Sequence, residues 1–591
     1  MMEWQGWFSL GLTLAALLAL IWGRVGAEMI MMTVLALLSV SGVLTANEAL
    51  AGFSNSGLMT VALMFIVAAG IQASGGVDLL VQHVLGRPKS VIGAQLRLVV
   101  PVVGLSGFLN NTPVVAALIP ALNNWSKRIN VPPSALMIPL SYAAILGGTL
   151  TLIGTSTNLV VNGQYQALTG KEGFSLFAIT PIGAIVALAG VLFMLLTFRW
   201  LLPTRQSPDE SFANPREYTI EVAVAANGPL VGKTVAEAGL RNLKRVYLVE
   251  IERDGAIVTA VPSEERLRGG DRLVFAGDTE AIMMLHRING LVPSTNEDVP
   301  VISKASPERR LVEAVVSPSC ECVGQTVRDS RFRDRYGAVI LAVARNGQRV
   351  PGNLGSIKLR PADTLLLEAR PAFVTRQRFT RDFLLINDID EERPRHEKAL
   401  LAWGILIALV TLAAFEVISM LNAALLGAGL MILTRSCSTA QAMKSLDLPV
   451  LITIGASFAL GTALEKTGVA SYIAGNVLAL ANGNPQLLLA LTYATVSVLT
   501  EIITNNAAAI IMLPIVLAMT SGAGLNAEPF VIALMMAASA SFATPLGYQT
   551  NMMVYGPGGY RFSDFLKVGI PMNVICGIAT VIAIPLIWPL Q

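Results

Sequence analysis

Residues 500–514 read TEIITNNAAAIIMLP. Apolar text flanks them on both sides, LLLALTYATVSVL at 487–499 and IVLAM at 515–519. Thr504, Asn505 and Asn506, with Glu501 one turn upstream, thus interrupt a segment that otherwise belongs in lipid. Unpaired amides and carboxylates at such depth cost several kcal/mol each. What offsets that cost decides the fold.

Over all 591 residues, 53% are hydrophobic and 14% charged, with a mean hydropathy of +0.62. Soluble domains carry about 25% charged residues. Apolar runs near the ~20 residues that span a bilayer recur at both ends of the chain. The composition describes a polytopic α-helical membrane protein. A net charge of +3 gives no reason to expect nucleic acid. Four cysteines, Cys320, Cys322, Cys437 and Cys576, are too scattered for a disulfide framework. Cys320-Glu321-Cys322 lacks the second pair or nearby histidine that would make it a metal site. His83, His286 and His396 lie far apart and read as solvated. No basic segment precedes the first apolar run, so that run reads as a span and not as a signal peptide.

The polar knot has a twin. NNTPVVAALIP at 110–120 matches TNNAAAIIMLP at 504–514, and GTSTN at 154–158 matches GYQTN at 547–551. Gly76-Val77 and Gly468-Val469, then FSLF at 174–177 and FSDF at 562–565, follow in the same order at similar spacing. Four matches in order are an internal repeat. Each half reads as five spans plus a re-entrant hairpin. The first half has spans near 6–23, 28–45, 57–74, 134–157 and 175–202, with a hairpin near 97–123. The second has spans near 399–415, 417–434, 448–464, 529–551 and 567–588, with a hairpin near 486–518. An odd number of spans inverts the second half relative to the first.

Charge supports the inversion. Arg87, Lys89, Arg97, Lys127 and Arg128 flank the first hairpin, whereas 467–485 and 519–528 around the second hold no Lys or Arg. Positive charge marks the cytoplasmic side. The first hairpin therefore opens to the cytoplasm and the second to the outside. Glu3 before and Arg24 after the first run agree, as do Arg435, Lys444, Arg561 and Lys567 inside. Both termini fall outside, and 204–395 falls in the cytoplasm.

That insert repeats as well. VGKTV at 231–235 matches VGQTV at 323–327, and LRGGDRLVF at 267–275 matches LRPADTLLL at 359–367. RDG at 253–255 and RNG at 345–347 are hairpin-turn signals between alternating strands. Each unit reads as a small α+β module with one short helix after the VG-T turn. The expected divisions are a membrane repeat at 1–203, modules at 204–300 and 301–395, and a second membrane repeat at 396–591.

Asn110, Asn111 and Thr112, like Thr504, Asn505 and Asn506, then lie at hairpin tips. Irregular backbone survives at that depth only when buried in protein or lining a wet cavity. Helix N-termini there favour an anion, and freed carbonyls with side-chain oxygens suit Na⁺. The alternative is that the amides and hydroxyls only bond helices together. Gly154, Ser156, Thr157 and Asn158, with Gly547, Thr550 and Asn551, mark broken helices at matching places. With Asn111 and Asn505 they are the candidate Na⁺ ligands; kinks made for packing are the alternative. Glu501 is either a proton or cation site or a carboxylate capped by backbone amides of the hairpin, and its counterpart Gly107 carries no charge. YGPGG at 555–559 reads as a tight cytoplasmic loop.

With these tips, TEIITNNAA resembles the divalent anion:sodium symporters of solute carrier family 13. The resemblance covers both membrane halves. It implies that the tips bind the anion and Na⁺, and that a dimer moves substrate by an elevator motion. Asn110, Thr504 and Asn506 depart from the family's Ser-Asn-Thr pattern. The insert resembles a tandem pair of TrkA-C domains, which are ligand-binding modules, without a preceding GxGxxG nucleotide-binding domain. Such insertions are familiar in sulfate-transporting relatives.

The expected function is Na⁺-coupled symport of a divalent anion across the plasma (cell inner) membrane, with sulfate favoured over C4 dicarboxylates. Na⁺ is cargo, and no cofactor or enzymatic step is expected. A cation/proton antiporter would need ionisable core residues, of which only Glu501 is available. A receptor that reports site occupancy through the insert is the third reading. No GxxxxGK[ST] occurs to support an ATP-driven pump.

Overall fold

Apolar sequence with few charges folds into helices wherever backbone groups must satisfy one another away from water. α1 (Trp4–Trp22), α2 (Ala27–Val40), α3 (Ala46–Leu50), α4 (Ser56–Ala73), α5 (Val91–Ser106), α6 (Asn111–Ile129), α7 (Met137–Gly148), α8 (Ser156–Thr169) and α9 (Thr180–Leu201) form the first half. The short α10 (Phe332–Tyr336) lies in the insert. The second half holds α11 (Ala399–Ala414), α12 (Met420–Leu433), α13 (Thr439–Ser445), α14 (Leu448–Lys466) and α15 (Val469–Ala481). It continues with α16 (Pro485–Ile502), α17 (Asn505–Ala523), α18 (Ala527–Ser539), α19 (Gln549–Tyr555) and α20 (Phe562–Ile587). This computed structural model describes most of residues 3–591. The longest stretches outside the description are 77–84, 204–218, 278–284, 294–309 and 389–397.

The chain separates into two units. Met1–Thr204, Pro394–Val554 and Arg561–Gln591 form the helical one. Arg205–Arg393 with Tyr555–Tyr560 form the other, so the YGPGG loop groups with the insert.

Within the helical unit, seven helices among the described residues are long and apolar enough to cross a membrane. Two of them, α16 and α17, are the arms of the expected second hairpin. Length alone therefore does not mark that hairpin as re-entrant. The expected spans 28–45 and 417–434 are 14-residue helices. The spans at 134–157 and 529–551 are interrupted, ending at Gly148 and Ser539 and resuming at Ser156 and Gln549. On α9, Leu188, Leu192 and Leu196 share one exposed face, and on α20 Val574, Ile578, Ile582 and Leu586 share another. Rows of exposed aliphatic residues four apart suit a lipid-facing surface.

The hairpins are built alike. Ser90 Oγ caps α5 by accepting from Gly93 N at 3.1 Å, and Asn484 Oδ1 caps α16 by accepting from Gln486 N at 2.9 Å. Pro120 and Pro514 lie inside the second arms at matching positions.

Among its described residues the insert contains two five-stranded antiparallel sheets. The first holds β1 (Thr219–Val224), β2 (Val246–Arg253), β3 (Ala256–Thr259), β4 (Arg272–Gly277) and β5 (Leu291–Pro293) in the order β3-β2-β4-β1-β5. The second holds β6 (Arg310–Val316), β7 (Ala338–Arg345), β8 (Gln348–Arg349), β9 (Thr364–Ala369) and β10 (Phe383–Asp388), in the order β10-β6-β9-β7-β8. Read from the other edge, the two orders coincide. Arg253 pairs with Asp271 at 2.8 Å, and Arg345 pairs with Asp363 at 2.7 Å. These carboxylates hydrogen-bond the guanidiniums and hold both arginine pKa values above the ordinary range. Each module has its own apolar core, around Val222, Leu248, Leu273 and Phe275 in one and Val312, Ile340, Leu365 and Leu367 in the other.

The short helix after the VG-T turn is described in the second module, as α10; its counterpart in the first, 240–244, lies mostly outside the described residues. One expectation needs correction. Cys320 and Cys322 are joined as a disulfide within the second core, beside Phe332 and Tyr336. Among the described residues no cluster of three or more His, Cys, Asp and Glu could hold a metal. The histidines, Arg24, Val77, Arg87, Lys89, the hairpin-turn residues 254–255 and 346–347, and the borders near 204, 300 and 395 lie outside the described residues.

Candidate functional site

The two hairpins turn at α5–α6 and α16–α17. Asn111 and Asn505 each take the first helical position of the second arm, where backbone N–H groups lack intrahelical partners. Asn111 is fully buried, Asn110, Thr112 and Asn505 are half-buried, and Asn506 is buried. Thr504 is exposed.

The broken helices leave backbone carbonyls without helical donors, and an asparagine serves them in each half. Asn158 Nδ2 donates to Gly148 O at 3.2 Å and Thr151 O at 3.3 Å. Asn551 Nδ2 donates to Ser541 O at 3.0 Å and Thr544 O at 3.1 Å. A threonine then ties each break to the hairpin turn beside it. Thr151 Oγ1 donates to Gly107 O, and Thr544 Oγ1 donates to Glu501 O at 3.1 Å. Glycine is required at one further point. A Cβ at Gly154 would lie 2.9 Å from Ser106 O, and one at Gly547 would lie 2.9 Å from Thr500 O. The same local solution appears twice, residue for residue.

Each tip then reaches the break of the opposite half. Thr157 Oγ1 donates to Asn506 Oδ1 at 3.0 Å, with Ser156 Oγ beside it at 3.5 Å. At the equivalent place, Thr112 Oγ1 donates to Gln549 Oε1 at 3.2 Å. Asn111 meets the Tyr548 hydroxyl at 2.6 Å, and Tyr548 lies 3.1 Å from Thr155 Oγ1. Ser141 Oγ lies 2.9 Å from Thr550 Oγ1 and donates to Asn551 Oδ1 at 2.7 Å. Within the polar knot, Asn506 thus finds its partners across the halves, while Thr504 stays exposed. No Lys or Arg occurs in 104–123, 137–158, 500–514 or 539–555.

Glu501 is capped, but by the second break and α20 and not by amides of the hairpin. Its Oε1 accepts from Ala543 N at 2.9 Å and Asn573 Nδ2 at 2.7 Å, and its Oε2 accepts from Thr544 N at 2.9 Å. Both oxygens thus hold the second break in place.

Sequence reasoning named the tips and breaks but missed Tyr548, Ser141, Gln549 and Asn573 as partners. For Tyr548 a signal existed, since it aligns with Thr155 between the paired glycines and asparagines. Ser141 and Asn573 sit in ordinary helical text and give none. The hydroxyls, amides and carbonyls gathered here can coordinate a hard cation or donate to an anion; they include no nucleophile–base pair.

The citrate transporter family matches this chain over residues 17–422 and 410–589. The chain belongs to the citrate transporter family. It is a multi-pass membrane transporter and not an enzyme. It is similar to a Chlamydomonas reinhardtii protein named "Putative sulfur deprivation response regulator", 37% identical over 95% of this chain and 98% of the relative. An uncharacterized transporter of Synechocystis is 32% identical over 100% of this chain and 98% of the relative. Sodium/sulfate cotransporter 2 of Chlamydomonas reinhardtii is 28% identical over 97% of this chain and 88% of the relative. The resemblance drawn from the hairpin tips is therefore borne out for the transporter family.

Proposed function

We propose that this transporter is a secondary Na⁺ symporter of a divalent anion, with sulfate preferred, working by elevator-type alternating access between two inverted repeats. The observation that carries the reading is the pairing of each hairpin tip with the broken helix of the other half. Such paired breaks are where transporters bind substrate and coupling ion. Asn110, Asn111, Thr112, Thr504, Asn505 and Asn506 would bind the anion. Asn111, Gly154, Ser156, Thr157 and Asn158, with Asn505, Gly547, Thr550 and Asn551, would supply the Na⁺ ligands.

The electrostatics favour coupling. With no Lys or Arg in the tips or the broken helices, a doubly charged anion is held there by amides, hydroxyls and the helix starts at Asn111, Ser156 and Asn505. Cations bound beside it offset the repulsion that remains. The sodium/sulfate cotransporter among the relatives supports the substrate choice, and the extra amides at Asn110 and Asn506 suit a compact tetrahedral oxyanion. The family's citrate description supports a dicarboxylate or tricarboxylate alternative. Sulfate uptake into proteoliposomes at saturating sulfate is expected to keep about half its rate in a tenfold excess of succinate or citrate, as an order-of-magnitude preference of about 1.4 kcal/mol gives. Robust succinate uptake without sulfate competition would reverse the substrate choice.

A second reading keeps the site but uses it to sense sulfate, and the relative named for sulfur deprivation favours it. Under either reading, the repeated insert serves as a pair of TrkA-C-like modules that bind a small ligand or join a homodimer. The plasma membrane is the proposed location, with the insert cytoplasmic and both termini outside.

Inversion is tested by labelling. Gln486 and Arg128 are exposed residues in matching hairpins. Gln486→Cys in intact cells should react with a membrane-impermeant maleimide, and Arg128→Cys only after permeabilisation. The opposite pattern would remove the inverted-repeat reading.

A further inference from the structure

Asn111 has partners at both ends of its amide, and they differ in kind. One end faces the Tyr548 hydroxyl at 2.6 Å. The other faces Ser106 Oγ at 2.5 Å, Ala144 O at 2.9 Å and Gly154 O at 3.3 Å. The second group is all oxygen, and its two carbonyls can only accept.

Two orientations of the amide are therefore possible, each with its own condition. With nitrogen inward, Asn111 donates to the carbonyls and accepts from the Tyr548 O–H. With oxygen inward, four oxygens converge and only Ser106 brings a proton. That arrangement is unfavourable unless a cation sits among them. Rotation by half a turn exchanges the two without moving the backbone.

Tyr548 must respond to this choice. When Asn111 presents oxygen, the Tyr548 O–H donates to it and the Thr155 hydroxyl donates to Tyr548. When Asn111 presents nitrogen, Tyr548 accepts, and its own proton turns to Thr155 Oγ1, 3.1 Å away. The short chain Asn111–Tyr548–Thr155 reverses its direction. Tyr548 is buried, and it immediately precedes the helix that carries Gln549, Thr550 and Asn551.

We propose that Tyr548 is a positioning residue that reads cation occupancy at Asn111 in the first half and transmits it to the break of the second half. Thr155 serves as the alternate acceptor. This rests on the Na⁺-coupled reading above and adds the route by which one half senses the ion bound in the other.

The test uses full-length protein in proteoliposomes, with sulfate uptake measured against Na⁺ concentration, and ²²Na⁺ binding to the purified protein. Tyr548→Phe removes a partner of Asn111 in both orientations and should shift the Na⁺ concentration for half-maximal uptake about tenfold, a coupling of ordinary size. The sulfate KM at saturating Na⁺ should stay within about twofold of the parent protein. Thr155→Val removes the acceptor needed only when the cation is bound, and should raise the Na⁺ concentration for half-maximal uptake. Added to Tyr548→Phe it should produce no further shift, because both act through one proton. Should Tyr548→Phe fail to give monodisperse protein, Thr155→Val carries the test alone.

Unchanged Na⁺ dependence in the variant tested overturns the proposal. So does a shift confined to the sulfate KM, or full additivity of the two substitutions. If the parent protein neither binds ²²Na⁺ nor depends on Na⁺ for uptake, the functional reading falls and this inference falls with it.

Discussion

Asn551→Leu is expected to lower uptake about thirtyfold, and Asn158→Leu to do comparable damage from the other half. Each change keeps a similar side-chain volume but strands two break carbonyls, Ser541 O and Thr544 O in one case and Gly148 O and Thr151 O in the other. A buried acceptor left without a donor costs about 1–3 kcal/mol. A loss of about 2 kcal/mol in the transport-competent geometry corresponds to that factor in rate. Initial uptake rates, normalised to monodisperse protein by size-exclusion chromatography, measure the effect. Full activity in either variant would show that the broken helix does not depend on its asparagine.

Glu501→Gln is expected to reduce the maximal uptake rate at least about tenfold, while the residual rate keeps the pH profile of the parent protein. The carboxylate serves three donors from two oxygens: Ala543 N, Thr544 N and Asn573 Nδ2. A glutamine has one acceptor oxygen, so its own N–H₂ must face at least one donor, at a cost of about 1–3 kcal/mol. The loss thus falls on the geometry of the break. A proton-carrying Glu501, as an antiporter needs, would instead change the pH dependence when neutralised. Uptake rates measured from pH 5.5 to 8.5, a range chosen to span roughly the physiological side-chain titrations, separate the two.

The repeat was the most legible feature of the sequence, because Gly, Asn and Pro do work that other residues cannot. Gly154 and Gly547 lie against hairpin carbonyls, Asn158 and Asn551 bond the carbonyls of the breaks, and Pro120 and Pro514 mark the second arms. Each is chemically constrained, so the text preserves its spacing. The helix ends were less legible. Apolar text at 134–157 continues through the break after Gly148 because Leu150, Leu152 and Ile153 are as apolar as a helix interior. Hydropathy reports burial, whereas the break is set by bonds from distant residues.

The cross-half partners were legible only in part. Asn573 supports Glu501 across 72 positions of chain, and Ser141 meets Asn551 across 410. No local pattern encodes such pairs. For Glu501 a cap was legible but its source was not, because the donors come from the break and from Asn573 and not from the hairpin. In the insert, the matched VG-T and LR-D segments show where strands recur, and the sheet order shared by the two modules follows from them.

The central claim, that this transporter couples a divalent anion to Na⁺, is most directly tested in proteoliposomes containing the purified full-length chain. Radiolabelled sulfate uptake is measured with an inward Na⁺ gradient, and again with that gradient replaced by K⁺, by choline or by an inward proton gradient. Uptake above the internal equilibrium level is expected with the Na⁺ gradient alone, with collapse when a Na⁺ ionophore is added. Equal uptake in Na⁺ and choline, or accumulation driven by the proton gradient, would contradict the account.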